Sequence, residues 1–199
     1  MKGFTAVKDY ELMGLRGTRI SHLKFDNVEI PTENLLGGPE YLNRGFDILM
    51  DELNSERACI ASQAVGVARG AFETALDYTT ERKQFDREIR HFEGVNFQIA
   101  NMATRIEASR ALTIQSARTI DLVSNNQATK IAAMAKNFSC ETAVEVAIKS
   151  QQILGGIGYT KEYPSERYVR ESRLLPIGGG TSEIMKYLIQ REVYREYGY

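Results

Sequence analysis

The sequence predicts a mostly α-helical protein, built as an up-down bundle of four helices after a short β segment. The first observation is a change of period: from Gly45 onward, apolar residues recur at three- and four-residue steps. The second is that the helical stretches are long and joined by short loops, which favours antiparallel neighbours. The third is that residues before about 40 carry the two-residue alternation typical of β-strands.

The β segment is centred on "SHLKFDNVEI", where Leu23 and Phe25, then Val28 and Ile30, fall on repeating faces before Pro31. "MGLRGTR" before it predicts a turn. Because one or two strands do not make a stable sheet alone, we expect their partners to lie elsewhere. The segment is then poorly ordered, paired with a neighbouring chain, or packed as an isolated hairpin.

Helical periodicity accounts for most of the remaining chain. The expected helices cover about 45–85, 95–123, 127–154, 165–171 and 182–197. Gly155 and its neighbouring glycines end the third helix, as glycines commonly do at helix C-termini. Thr181 caps the last helix, with Glu183 in the first turn. The apolar arcs are wider than one bundle can bury, which predicts a homo-oligomer, a dimer or a tetramer.

The composition excludes several classes of function. The 25 basic and 26 acidic residues give a net charge of -1, so neither nucleic acid nor an anionic membrane is an expected partner. Cys59 and Cys140 lie far apart in apolar contexts and are expected to be buried free thiols rather than a disulfide. No Cys/His cluster has metal-ligand spacing, so no metal is expected. With no signal peptide and no apolar run of membrane length, we expect a cytoplasmic protein.

The stretch "RLLPIGGGTSEIMKYLIQRE" carries the strongest local signal. Its three glycines lead into Thr181 and a helix, so backbone N–H groups and the helix dipole suit a phosphate. The alternative is a glycine loop that is needed only for a tight turn. Gly178, Gly179 and Gly180 have no side chains, so any chemistry at this loop needs a group from elsewhere.

Several motifs together resemble one family. "RKQF", "QILGGIGYTKEYPSERYVRE" and "GGGTSEI" look like the carboxy-terminal half of the acyl-CoA dehydrogenases. "LRGTRISHLKFDNVEIPTENLLG" looks like the last part of their middle β-domain. The resemblance implies that residues 1–40 are the incomplete end of that β-domain and that residues 41–199 form the C-terminal four-helix bundle domain. It also implies α,β-dehydrogenation of an acyl-CoA with FAD as cofactor and electron-transfer flavoprotein as acceptor.

The resemblance also indicates where a catalytic base would lie. Most of the family carries its carboxylate just before a Gly-Thr pair, where this chain has Gly179. A branch resembling isovaleryl- and long-chain acyl-CoA dehydrogenases has glycine there and places the glutamate on the first bundle helix, which matches Glu56. Arg57 beside it matches an arginine near the base and the substrate. The alternative for Glu56 is a solvated helix residue that pairs with a nearby cation.

The FAD contacts that the resemblance implies come from three motifs. The residues carried over as cofactor-binding are Arg82, Phe85, Gln152, Gly155, Gly156, Gly179, Gly180 and Thr181. Arg82 and Phe85 match "R-x-x-F-G", except that Asp86 replaces its glycine, which puts the local turn in doubt and adds a negative charge near a diphosphate. Each motif also has a purely structural explanation: a helix-end cation for Arg82 and a helix stop for Gly155 and Gly156.

Two other functions remain open at this point. The chain could be a non-catalytic helical oligomerisation module, because the segments that contact the flavin ring in the family are absent. It could also belong to an acyl-CoA oxidase-like flavoenzyme of the same fold. A flavin spectrum separates the first alternative from the dehydrogenase, and oxygen consumption separates the second.

Overall fold

The computed structural model describes residues 1–123 and 126–199, which form two compact units, Met1–Leu53 and Asn54–Tyr199. The predicted mostly α-helical fold is confirmed. The helices are α1 (Gly45–Glu81), α2 (Glu93–Leu122), α3 (Asn126–Leu154), α4 (Ser165–Ser172) and α5 (Ser182–Glu196). The strands are β1 (Phe4–Asp9), β2 (Ser21–Phe25), β3 (Lys83–Gln84) and β4 (Arg87–Glu88).

The β segment of the first unit is a two-stranded antiparallel hairpin. Strand β1 pairs with β2 in a register that runs from Phe4 opposite Phe25 to Asp9 opposite Ser21. Strand β2 stops short of the expected Val28 and Ile30, because Asn27 adopts a φ of 46° and breaks the extended backbone. No further strand pairs with this hairpin among the described residues.

The core of the second unit lies between α1, α2 and α3. Small residues dominate it, and α1 contributes a buried alanine at almost every turn: Ala61, Ala64, Ala68, Ala71 and Ala75. The Ser150 hydroxyl of α3 donates to the Ala71 carbonyl at 2.6 Å, so these two helices approach closely. Met102, Ile106 and Leu154 supply larger buried side chains. Small residues thus allow close helix packing, and the larger ones fill the space that remains.

Helix α1 is a long rod with a tight hairpin at its end. Its 37 residues correspond to about 55 Å at 1.5 Å per residue. Strands β3 and β4 follow, joined through Phe85 and Asp86 at φ values of 52° and 63°. Two positive φ values in a two-residue loop define a turn of type I′. The turn therefore forms in spite of Asp86, at a conformation that glycine adopts more easily.

The expected signals at two helix ends are confirmed. Helix α3 ends at Leu154, and Gly155 follows with a φ of 65°, as in a glycine C-cap. Thr181 is the N-cap of α5, and its hydroxyl accepts from the N–H of Ile184 at 3.4 Å. Within the described residues, no helix is long and apolar enough to cross a membrane, and no group of His, Cys, Asp or Glu is placed to hold a metal ion.

Candidate functional site

The glycine loop before α5 lies against helix α1. Gly179 and Gly180 adopt φ values of 63° and 105°, which strongly favour glycine. A Cβ added to Gly179 would overlap Cδ1 of Ile60 and lie 3.5 Å from Oε1 of Glu56. The loop therefore packs beside the Glu56 carboxylate, and a side chain at residue 179 would require Ile60 to shift. The two positions linked by the sequence analysis are neighbours in space.

Glu56 and Arg57 have contrasting environments, although they are adjacent on α1. Glu56 is exposed, and no hydrogen-bond or ion-pair partner lies within reach of its carboxylate in the described ranges. Arg57 is buried, and its Nη1 donates to Oδ1 of Asn54 at 3.1 Å. Asn54 in turn donates to Thr129 of α3 at 3.1 Å, which ties Arg57 to the bundle. The site thus pairs an accessible carboxylate with a fixed cation.

The Arg57 guanidinium is not fully satisfied inside the protein. Its Nε is buried without a partner among the described residues. Burial lowers the pKa of Arg57, the carboxylate of Glu56 opposes this shift, and Arg191 adds to it. A buried donor without an acceptor is costly, so this group fits an acidic or carbonyl oxygen brought in by a ligand.

Lys136 is a third charged residue at the loop, and it belongs to none of the motifs described above. It lies on α3 with its side chain wholly buried, and its Nζ donates to the carbonyl of Gly180 at 2.6 Å. Burial lowers the pKa of Lys136 below its ordinary value. Its spacing carried a usable signal: Ala132 and Cys140, four residues to either side, are apolar, which places the lysine on the buried face of α3.

The start of α5 offers several groups to an anion. The backbone N–H groups of Gly179, Gly180 and Thr181 have no acceptor in the part of the chain that the structure describes. Glu183 already occupies the first turn. Hydrogen bonds from its own backbone N–H and from the Thr181 hydroxyl hold the pKa of the Glu183 carboxyl below its usual value. The donors that remain free are therefore those of the loop rather than those of the first helical turn.

The other motif residues lie at the opposite end of the bundle. Arg82 and Phe85 follow α1, while Gln152 and Gly155 are at the end of α3, whose Ser150 contacts Ala71. Glu56 and Glu81 are separated by about 37 Å along the helix. Within one chain, the structure thus brings Glu56 to the glycine loop but does not bring Arg82 or Gln152 there.

This second group is open to a ligand from outside the chain. Phe85 is 87% exposed, with one edge toward Phe92 at 6.2 Å between ring centroids. No partner lies within reach of the Arg82 guanidinium among the residues described. A Cβ added to Gly155 or Gly156 would meet nothing within 4 Å. An unpaired cation, an exposed ring and bare backbone fit a dinucleotide that approaches this surface.

Comparison with known proteins identifies the family. The profile described as "Acyl-CoA dehydrogenase, C-terminal domain" matches residues 43–194. An acyl-CoA dehydrogenase of Bacillus subtilis (strain 168) is 43% identical over 190 residues, covering 95% of this chain and 48% of that protein. The caffeyl-CoA reductase-Etf complex subunit CarC of Acetobacterium woodii is 40% identical over 188 residues, covering 94% and 48%.

The structural comparison agrees with the sequence comparison. Butyryl-CoA dehydrogenase from Megasphaera elsdenii superposes with a TM-score of 0.92 at 33% identity, covering 98% of this chain and 49% of that one. The chain thus spans about half the length of the relatives it matches. From this match, and from the helical bundle with its glycine loop, the chain belongs to the acyl-CoA dehydrogenase family and corresponds to its C-terminal half.

Proposed function

We propose that this chain is the catalytic C-terminal part of an FAD-dependent acyl-CoA dehydrogenase that removes two hydrogens from adjacent carbons of an acyl-CoA thioester. The single observation that carries the proposal is the position of the Glu56 carboxylate, whose Oε1 lies 3.5 Å from where a Cβ of residue 179 would stand. A carboxylate therefore lies beside a loop position that has no side chain, in a loop whose backbone N–H groups at residues 179–181 have no acceptor among the described residues. The names of the relatives, which include acyl-CoA and butyryl-CoA dehydrogenases, support the substrate class.

Glu56, the glycine loop and Arg57 have different roles in proton removal. The Glu56 carboxylate accepts the proton α to the thioester carbonyl, which is weakly acidic and needs a base held close. The N–H groups of the glycine loop donate to the thioester oxygen as negative charge develops on it. Arg57, buried beside Glu56 on α1, anchors the substrate. When bound, FAD supplies the acceptor for the hydride that leaves the β carbon.

The cofactor residues belong to this proposal as well. We assign the loop residues Gly179, Gly180 and Thr181 to one part of FAD, and Arg82, Phe85, Gln152, Gly155 and Gly156 to another part held by a neighbouring subunit. The exposure of Arg82 and Phe85 and the open space beyond Gly155 support this assignment. It requires a homo-oligomer, a dimer or a tetramer.

The wider context is proposed on the same basis. Electron-transfer flavoprotein is the proposed acceptor, supported by the relative that is a subunit of a caffeyl-CoA reductase-Etf complex. We assign residues 1–40 to the end of a middle β-domain and residues 41–199 to the C-terminal domain, in a cytoplasmic protein of fatty acid metabolism. The profile match over 43–194 supports the second of these domain assignments.

The test is the rate of flavin reduction by an acyl-CoA without oxygen. The protein is expressed from its complete reading frame, loaded with FAD and compared with Glu56→Gln. The amide keeps the shape of the side chain but cannot accept the proton, so we expect FAD and acyl-CoA to bind normally and flavin bleaching to fall by at least about 1,000-fold. Glu73→Gln, on an exposed part of α1 where only an ion pair with Arg69 is lost, is the matched control and should bleach normally.

Each alternative gives a different result. Equal bleaching rates for Glu56→Gln and the parent would make Glu56 a solvated helix residue. A colourless protein that does not take up FAD would favour the non-catalytic oligomerisation module. Rapid oxygen consumption during turnover would favour an acyl-CoA oxidase.

A further inference from the structure

We infer that Lys136 is a positioning residue that sets the orientation of the glycine loop against Glu56. The inference rests on the proposed function and extends it to a residue on a third helix. Lys136 touches no part of the presumed reaction path itself; it acts through the Gly180 peptide. The same geometry also predicts a change that can be measured without any activity.

The first step is the burial of the Lys136 side chain. Lysine is almost never fully buried unless its ammonium is paired, yet Lys136 has no exposed surface. Among the described residues, the hydrogen-bond acceptor of its Nζ is one backbone carbonyl, that of Gly180 at 2.6 Å. A methionine or leucine would fill the same volume at no desolvation cost. A charged side chain is therefore less favourable for packing here than an apolar one of the same volume. Its hydrogen-bond partner is a peptide of the glycine loop.

The hydrogen bond from Lys136 fixes the orientation of the peptide between Gly180 and Thr181. In a trans peptide the C=O and the following N–H point in opposite directions. With the Gly180 carbonyl held by Lys136, the N–H of Thr181 is directed away from α3. Gly180 has a φ of 105° and Gly179 one of 63°, so this peptide has more rotational freedom than one between ordinary residues. A fixed anchor is thus most useful at this position.

The third step is the electrostatic environment on each side of Lys136. Arg57 of α1 is a neighbouring cation that lowers the pKa of Lys136. Cys140 and Glu141 of α3 and Glu183 of α5 act in the opposite direction and raise this pKa. Lys136 and Arg57 are both buried close to the loop that carries Gly179. Two buried cations add positive potential beside the loop, where a thioester oxygen gains negative charge in the proposed chemistry. The lysine thus holds the loop and contributes to its field.

The experiment compares the FAD-loaded parent with Lys136→Met, using Lys149→Met as the matched control. Lys149 lies on the same helix, about 20 Å further along its axis, and pairs with Glu145 at 2.6 Å. For Lys136→Met we expect kcat for anaerobic flavin reduction to fall about 100-fold, because a small misplacement of catalytic donors is that costly. KM should change less than about threefold, and the melting temperature should not fall.

A second readout does not depend on activity. Amide hydrogen exchange at residues 178–181 should accelerate in Lys136→Met, while exchange in the centre of α3 stays at the parent rate. This holds even if the parent does not reduce flavin, so failure of the proposed function is separable from failure of the inference. Unchanged loop exchange together with unchanged kcat overturns the inference. The inference is also overturned if the melting temperature falls, exchange accelerates throughout the bundle, and kcat falls only in proportion to these changes.

A third variant covers the case in which Lys136→Met does not fold. Lys136→Gln keeps a donor on a side chain one bond shorter and removes the charge. A kcat below that of the parent, with loop exchange faster than in the parent, supports positioning by the hydrogen bond, because the shorter amide reaches the Gly180 carbonyl less well. Parent-like values for both quantities in Lys136→Gln would show that the hydrogen bond at this length does not position the loop.

Discussion

At the scale of single residues, Gly179 decides what the site can contain. Its φ of 63° and the overlap of any Cβ with Ile60 are separate obstacles to a side chain. The resemblance predicted only the absence of a carboxylate at this position and its replacement by Glu56. The close packing of Ile60 could not be predicted, because it depends on how α1 and the loop meet in space. Moving the carboxylate back to residue 179 therefore needs more than one substitution.

Gly179→Ala separates the two obstacles when it is combined with Ile60→Val, which deletes the overlapping Cδ1. We expect Gly179→Ala alone to lower the free energy of unfolding by about 1–3 kcal/mol, from left-handed backbone strain and overpacking. Ile60→Val alone should cost about 0.5–1.5 kcal/mol. Urea unfolding of the double variant should show a loss smaller than the sum, since the steric part is removed. Strictly additive losses would show that Ile60 does not limit the loop.

Lys136 shows a different limit of sequence reasoning. A lysine within a helix is usually exposed, and "AMAKNFS" contains no functional motif. Only its four-residue spacing from Ala132 and Cys140 indicated the buried face. Its acceptor, the Gly180 carbonyl, is a backbone group and has no signature in the sequence at all.

At the scale of elements, the hairpin after α1 shows how a turn tolerates an unfavourable residue. The resemblance placed a glycine where this chain has Asp86, which made the turn doubtful. The structure keeps the turn, with Phe85 and Asp86 both at positive φ. Aspartate accepts this conformation better than most residues, whereas phenylalanine rarely adopts it. The hairpin therefore carries local strain next to the residues proposed to bind FAD.

Two substitutions distinguish strain from charge at residue 86. Asp86→Gly should raise the free energy of unfolding by about 0.5–1 kcal/mol, or the melting temperature by about 1–4 °C, because glycine adopts positive φ freely. Asp86→Asn keeps a residue that tolerates this conformation and removes only the charge. Under the proposed function, both should tighten FAD binding in a fluorescence titration, since a negative group near the diphosphate is gone.

The outcome that contradicts this prediction is specific to each variant. A lower melting temperature for Asp86→Gly would mean that the aspartate side chain stabilises the turn by its own hydrogen bonds. Unchanged FAD affinity in both variants would place the diphosphate away from this hairpin.

The ends of helices were predicted correctly where a few neighbouring residues decide them. Thr181 begins α5 and Gly155 ends α3 as expected, because capping is decided within a few residues. Strand β1 was not predicted, and β2 ended before Val28. Strand pairing depends on a partner elsewhere in the chain, and a single turn residue such as Asn27 can interrupt an alternating pattern.

At the scale of the whole molecule, apolar surface remains exposed on three helices of the second unit. Phe97 and Leu122 on α2, Ile148 on α3 and Ile184 on α5 are each between 48% and 81% exposed. The sequence predicted this excess from the width of its apolar arcs. It could not predict which faces meet, because a self-complementary surface is a property of two folded chains.

Light scattering tests the predicted association. At micromolar concentration we expect the mass to be two or four times the 22.4 kDa of the chain, because association would bury these exposed apolar side chains. Added salt should not dissociate the assembly, since apolar burial rather than ion pairing holds it together. A monodisperse monomer under these conditions would rule the prediction out.

The length of α1 has a consequence for how the protein retains FAD on dilution. The 37 Å or so between Glu56 and Glu81 exceeds what an extended flavin dinucleotide spans. Under the proposed function, one FAD is therefore held by the glycine loop beside Glu56 in one chain and by the hairpin after α1 in another. Cofactor uptake and chain association then reinforce each other by mass action. Dilution releases FAD, added FAD draws chains together, and specific activity becomes a measure of an association equilibrium.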